Sequence, residues 1–238
     1  MSQLAPVLAF GAHPDDIEFG CGAVIATEAR MGRACHFVIC SRGEAASNGT
    51  PAARMREAKT GGKILGASVE FVELAGDARL KPRTEFAQKL AMIIRKVRPG
   101  ILLAPTLVRN QHPDHVALGR LVQTAARLAR YGGIRELKKL PAHAVDALLY
   151  YAVTPDAEPH DVQPILMDVS EPAVMSAWTK SMEAHASQMK TRNYLEMQLL
   201  RARLNGLRAG VGHAVPLFPN DPLVFDSFAL IQRSARVF

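Results

Sequence analysis

Val7-Leu8-Ala9-Phe10-Gly11-Ala12-His13-Pro14-Asp15-Asp16 runs an apolar segment directly into a polar turn. Residues 6–11 read as a strand, and His13-Pro14-Asp15-Asp16 follows at its C-terminal end. A second apolar run, Ile101-Leu102-Leu103-Ala104, precedes His112-Pro113-Asp114-His115. Read alone, each turn is equally well a polar loop with capping carboxylates, and Asp114 could N-cap the helix after it. Together the turns bring three imidazoles and three carboxylates to two strand ends.

Around these two strands the chain alternates short apolar runs with helical stretches. Residues 20–31 read as a helix with Val24, Ile25 and Ala29 on one side. Residues 36–40 read as the second strand. Thr50-Pro51 supplies an N-cap followed by proline at the first helical position. That helix should run to Leu65, with Gly66 as its stop. Residues 69–72 read as a third strand. Residues 83–97 place Phe86, Leu90, Ile93, Ile94 and Val97 at helical spacing, and residues 101–104 form the fourth strand. The stretch from Asp114 to Arg130 is helical, and residues 148–152 form the fifth strand.

Alternation of this kind predicts an α/β fold, Rossmann-like and doubly wound. The sheet should be mostly parallel with helices on both faces, and a less regular C-terminal part should wall the site. The expected organisation is one domain over residues 1–238, with a core at 1–153 and an elaboration at 154–238. Residues 154–164 read as a connection, followed by a strand near 165–169 and helices near 171–187 and 193–208. A Gly/Pro-rich segment at 210–222 then leads to a last strand at 223–225. In a sheet of order 3-2-1-4-5 the first and fourth strands are neighbours, and ligands bind in the crevice between their C-terminal ends. That order would bring the two turns together.

Composition narrows the function. With 238 residues and 48% hydrophobic content, the chain can bury a real core. No apolar run approaches the ~20 residues of a membrane span. The opening MSQLAPVLAF has no basic region and no cleavage site, so a cytoplasmic protein is expected. The net charge of +7 is scattered and not interleaved with aromatics, which argues against nucleic acid. Cys21, Cys35 and Cys40 show no paired metal spacing and fit a reducing compartment. Gly20 and Gly22 do not match a dinucleotide-binding loop and read as close helix packing. Helical surfaces in the C-terminal third could support a homo-oligomer.

The residue types point to metal chemistry. A catalytic metal site takes about three protein ligands and keeps a position open. His13 and Asp16 can serve as ligands while Asp15 acts as a base on water. One histidine of the second turn completes the set and the other stays free, and spacing leaves open which does which. Two-metal phosphoester hydrolysis would want a larger carboxylate cluster.

GAHPDDIEFGCG (residues 11–22) together with NQHPDH (residues 110–115) closely resembles the LmbE-like (PIG-L) metal-dependent deacetylases. That group includes sugar N-deacetylases of bacillithiol and mycothiol synthesis. The likeness continues through Ser41-Arg42-Gly43-Glu44, Ser47-Asn48-Gly49-Thr50, Arg54 and Glu57-Ala58. It implies zinc, or iron(II) or another divalent metal, held by His13, Asp16 and His115. It implies Asp15 as general base, His112 as oxyanion stabiliser or acid, and Asp114 orienting a histidine. Arg54 matches an arginine that contacts the sugar or its aglycone. Tyr194 falls near a tyrosine that reaches the carbonyl oxygen in some members, and His213 is a candidate for lining the pocket. The implied substrate is a small N-acetylated sugar of glucosamine type. The alternatives are an amidase on another N-acyl substrate and a binding module without catalysis, the latter disfavoured by intact Asp15 and His112. The chain departs from bacillithiol-type members at Arg109-Asn110-Gln111 and at Gly212-His213-Ala214-Val215-Pro216, where substrate choice is expected to lie.

Overall fold

The computed structural model describes residues 4–109, 112–190, 192–231 and 233–235. Its core is a repeated strand–helix unit: β1 (Val7–Gly11), α1 (Asp16–Arg30), β2 (Cys35–Ile39), α2 (Pro51–Ile64), β3 (Ala67–Phe71), α3 (Thr84–Val97), β4 (Ile101–Pro105), α4 (Pro113–Arg130) and β5 (Ala147–Tyr151). Then come β6 (Ile165–Asp168), α5 (Pro172–Glu183), α6 (Tyr194–Ala209) and β7 (Ala214–Pro219).

The sheet order is β3-β2-β1-β4-β5-β7-β6. The first five strands pair in parallel, and β7 pairs antiparallel with both β5 and β6. Residue alternation explains the uninterrupted apolar runs. Val7 and Ala9 of β1 pack under Ile17, Val24 and Trp178 on one face. Leu8 and Phe10 pack under Leu90, Ile94, Leu118 and Leu121 on the other. With both faces covered, a polar residue in β1 would have no water to reach. Register pairs Leu8 with Leu102 and Ala9 with Leu103, so β1 and β4 end side by side.

Several boundaries differ from the sequence-based expectation. Helix α1 starts at Asp16 and not at residue 20, and it breaks step at Cys21 (φ −147°, ψ 16°). The flanking glycines explain the break, since Gly20 lies against the Tyr151 ring and a Cβ at Gly22 would stand 2.8 Å from Trp178. Close packing is thus their role, as expected. Helix α5 stops at Glu183, short of residue 187. Asp114 is not the N-cap of α4; His112 is, its side chain accepting from the Asp114 N–H.

The last strand is the largest correction. It lies at Ala214–Pro219, inside the segment expected to be a loop, and residues 223–225 form none. Pro216 and Pro219 disguise it. Packing overrides them: Val215 and Leu217 enter one core and Phe218 the other, whereas Val224 is 90% exposed.

Candidate metal centre and catalytic cavity

The first turn is built around Asp16. Its Oδ2 accepts the N–H groups of Ala12 (2.8 Å) and His13 (2.9 Å), which folds the chain back on itself at the start of α1. The preceding residue, Asp15, is held at φ 129° and ψ −28°, a conformation that L side chains rarely adopt. Its Oδ2 accepts from Arg54 Nη2 at 3.0 Å. Arg54 is only 4% exposed and also donates to Pro14 O (3.0 Å) and Gly43 O (3.1 Å). Expected as a substrate contact, this arginine ties Asp15 to the turn. Burial raises the Asp15 carboxyl to about 6, and the Arg54 charge opposes the rise.

The second turn is built around the N-terminus of α4. His112 Nδ1 accepts the Asp114 N–H at 3.3 Å, so the proton of the neutral ring sits on Nε2. Burial, followed by the nearby His13 and His115, lowers the His112 pKa and favours that neutral form. The Asp114 carboxylate accepts from Ala78 N (2.7 Å) and Leu80 N (3.1 Å), pinning the loop after β3. Its Oδ2 is also 3.5 Å from His13 Nε2.

Between the turns three ligand atoms converge. His13 Nδ1 lies 3.3 Å from His115 Nε2, and His115 Nε2 lies 3.0 Å from Asp16 Oδ1. His13 Nδ1 is 3.6 Å from Asp16 Oδ2. Two imidazoles and one carboxylate, all buried, form a set able to hold a metal ion. The donor set fits such an ion chemically: two nitrogen lone pairs facing one carboxylate have a common use for a cation. Burial pushes against charge on Asp16, but His115 and His13 hold its carboxyl well below the usual range. A second potential group, His13, Asp77 and His112, shares His13.

These residues line a cavity of about 430 Å³ that also takes in Asp15, Phe19, Arg54, Gln188, Tyr194 and Gln198. Tyr194 is among the cavity's lining residues. His213 is not among its lining residues; it sits just before β7, with its N–H donated to Ser170 Oγ at 2.9 Å. Of the Arg109–Gln111 stretch, Asn110 and Gln111 lie outside the described residues.

Sequence reasoning missed Asp77, Gln188 and Gln198, which lie outside any motif. Asp77 Oδ1 stands 3.1 Å from His13 Nε2. It also missed a fully buried pair at the first turn of α1, Glu18 with His185, at 3.1 Å. A lone histidine carries no sequence signal for such a contact.

Residues 8–126 match the PIG-L family, described as GlcNAc-PI de-N-acetylase. The 4-oxalmesaconate hydratase of Pseudomonas putida is 32% identical over 145 residues, which is 56% of this chain and 56% of that protein. The diacetylchitobiose deacetylase of Thermococcus kodakarensis is 28% identical over 200 residues, covering 79% of this chain and 71% of that protein. The crystal structure of the conserved protein TT1542 from Thermus thermophilus is similar with a TM-score of 0.81 at 29% identity. That likeness covers 93% of this chain and 97% of the other.

Proposed function

Because the chain belongs to the PIG-L (GlcNAc-PI de-N-acetylase) family, we propose that it is a zinc-dependent hydrolase that removes the N-acetyl group from a glucosamine-type sugar or conjugate. The carrying observation is the convergence of His13, Asp16 and His115 beside Asp15 in one cavity. In this reading those three residues hold the metal. A bound divalent metal makes water more acidic and polarises a carbonyl. Asp15, with its carboxyl raised to about 6, accepts the proton of the attacking water. His112 offers its Nε2–H to the carbonyl oxygen as that oxygen gains charge. The C–N bond then breaks, acetate forms, and the proton held by Asp15 passes to the departing amine. Arg54 keeps the Asp15 carboxylate aimed, and Tyr194, Gln188 and Gln198 supply polar contacts for a sugar. The proposed setting is the cytoplasm and the proposed partner a small molecule. Among the described residues, no helix is long and apolar enough to cross a membrane.

A second reading comes from the hydratase relative: the same base and metal set could add water to a carbon–carbon double bond. The cavity charge favours the sugar. Arg54 is the single Lys or Arg among the described lining residues, and its Nη groups already donate to Asp15, Pro14 and Gly43. Apart from the metal, a polyanionic substrate would meet Asp15, Asp16 and Asp77 with Arg54 as the single Lys or Arg among the described lining residues. The test is parallel assay of metal-loaded enzyme for amine release from N-acetylated glucosamine derivatives and for hydration of 4-oxalmesaconate. Amine release supports the deacetylase. Turnover of the hydratase substrate alone overturns it.

A further inference from the structure

His13 has two ring nitrogens, and they face different groups. Nδ1 faces His115 and Asp16, whereas Nε2 is 3.1 Å from Asp77 Oδ1. The His13 and Asp77 side chains are 8% and 6% exposed, so water does not readily substitute for either partner. Asp77 is itself fixed from two sides. Its Oδ2 accepts the Ala45 N–H at 3.1 Å, and its own N–H donates to Glu44 Oε1 at 2.9 Å. That leaves Oδ1 as the oxygen presented to the imidazole. Asp114 is the other carboxylate near Nε2, but it is farther, at 3.5 Å against 3.1 Å, and its oxygens also accept backbone N–H groups from the loop after β3.

We propose that Asp77 is the positioning residue for His13: its Oδ1 accepts a hydrogen bond from Nε2–H, which keeps the proton on Nε2 and the Nδ1 lone pair on the side of Asp16 and His115. The inference rests on the reading of His13, Asp16 and His115 as metal ligands. It moves the role of histidine-orienting carboxylate from the second turn, where the family resemblance put it, to the loop after β3. A ligating histidine generally needs such an acceptor on its far nitrogen, which fixes tautomer and ring orientation. Without Asp77 the His13 ring could carry its proton on Nδ1 and present the wrong nitrogen. The Glu44–Asp77–Ala45 stitching then has a purpose, because it holds the acceptor still.

The test measures cobalt(II) and zinc(II) affinity of metal-free protein, without substrate, for wild type, Asp77→Ala, Asp77→Asn and His115→Ala. Asp77→Ala should weaken metal binding about 10–100-fold at unchanged stoichiometry. Asp77→Asn keeps an acceptor oxygen and should recover part of that loss. Nitrogen-15 spectra of the histidine rings supply the second readout: His13 should carry its proton on Nε2 in wild type and mix tautomers in Asp77→Ala. Wild-type affinity and an unchanged tautomer in Asp77→Ala would sink the inference while leaving the metal site intact. If Asp77→Asn loses metal as completely as His115→Ala, Asp77 is a ligand, and the positioning role is wrong. Wild-type protein that binds neither metal overturns the proposed function along with this inference.

Discussion

The two His-Pro-Asp turns share a residue pattern, but the helices after them begin at different points in it. Helix α1 begins at Asp16, the fourth residue of its turn, and α4 begins at Pro113, the second residue of its own. Aligned by helix start, Asp15 and His112 occupy the same position, the residue before the first helical one. These are the two groups read as base and electrophile. Both stand at helix N-termini, where oriented N–H groups favour negative charge. They reach that position by opposite means. His112 has ordinary backbone angles (φ −56°, ψ 130°) and caps its helix, which fixes its tautomer. Asp15 makes no cap bond, sits at φ 129°, and is held by Arg54. Of two cap positions, one is used for capping and the other stores strain.

Removing a ligand should have the largest effect. His115→Ala should bring metal content and turnover to background, read by elemental analysis and amine release. His112→Ala should keep its metal, and the reverse pattern would exchange the two histidines. Next comes the base: Asp15→Ala should retain metal and lose about 10²–10⁴-fold in kcat. Loss of metal in that variant would mean that Asp15 is a ligand. The electrophile follows, with His112→Ala lowering kcat about 10²–10³-fold with KM little changed. An effect confined to KM would reduce His112 to substrate binding.

What the sequence made legible depends on how local the cause is. Strands β1 to β5 were readable because parallel strands covered on both faces must be continuously apolar, and Leu8 and Ala9 show the two faces directly. From that order the meeting of His13 with His115 followed. The start of α1 was not readable, because the turn that Asp16 closes onto the Ala12 and His13 N–H groups starts the helix four residues before Gly20. Strand β7 was hidden by its prolines and is made by pairing with β5 and β6. Asp77 was invisible for a related reason. Nothing near it in the chain needs a carboxylate, and its partner His13 arrives from another strand end.

The smallest predicted effect separates strain from capping. Asp15→Gly and Asp15→Ala both delete the carboxylate and both leave Arg54 without that partner, so their difference isolates the backbone. Glycine ordinarily costs about 0.5–1 kcal/mol relative to alanine through the freedom of the unfolded chain. A non-glycine residue in a sparsely populated conformation costs about 1–3 kcal/mol. At position 15 relief of strain should outweigh that freedom, and Asp15→Gly should be the more stable, by up to a few degrees in Tm. At position 112, where φ is −56°, the responsive substitution is different. His112→Asn restores a capping oxygen and should exceed His112→Ala by about 1 kcal/mol. Equal melting of the Gly and Ala variants at position 15 would show that no strain is stored there, and the two turns would differ only in which side chain caps.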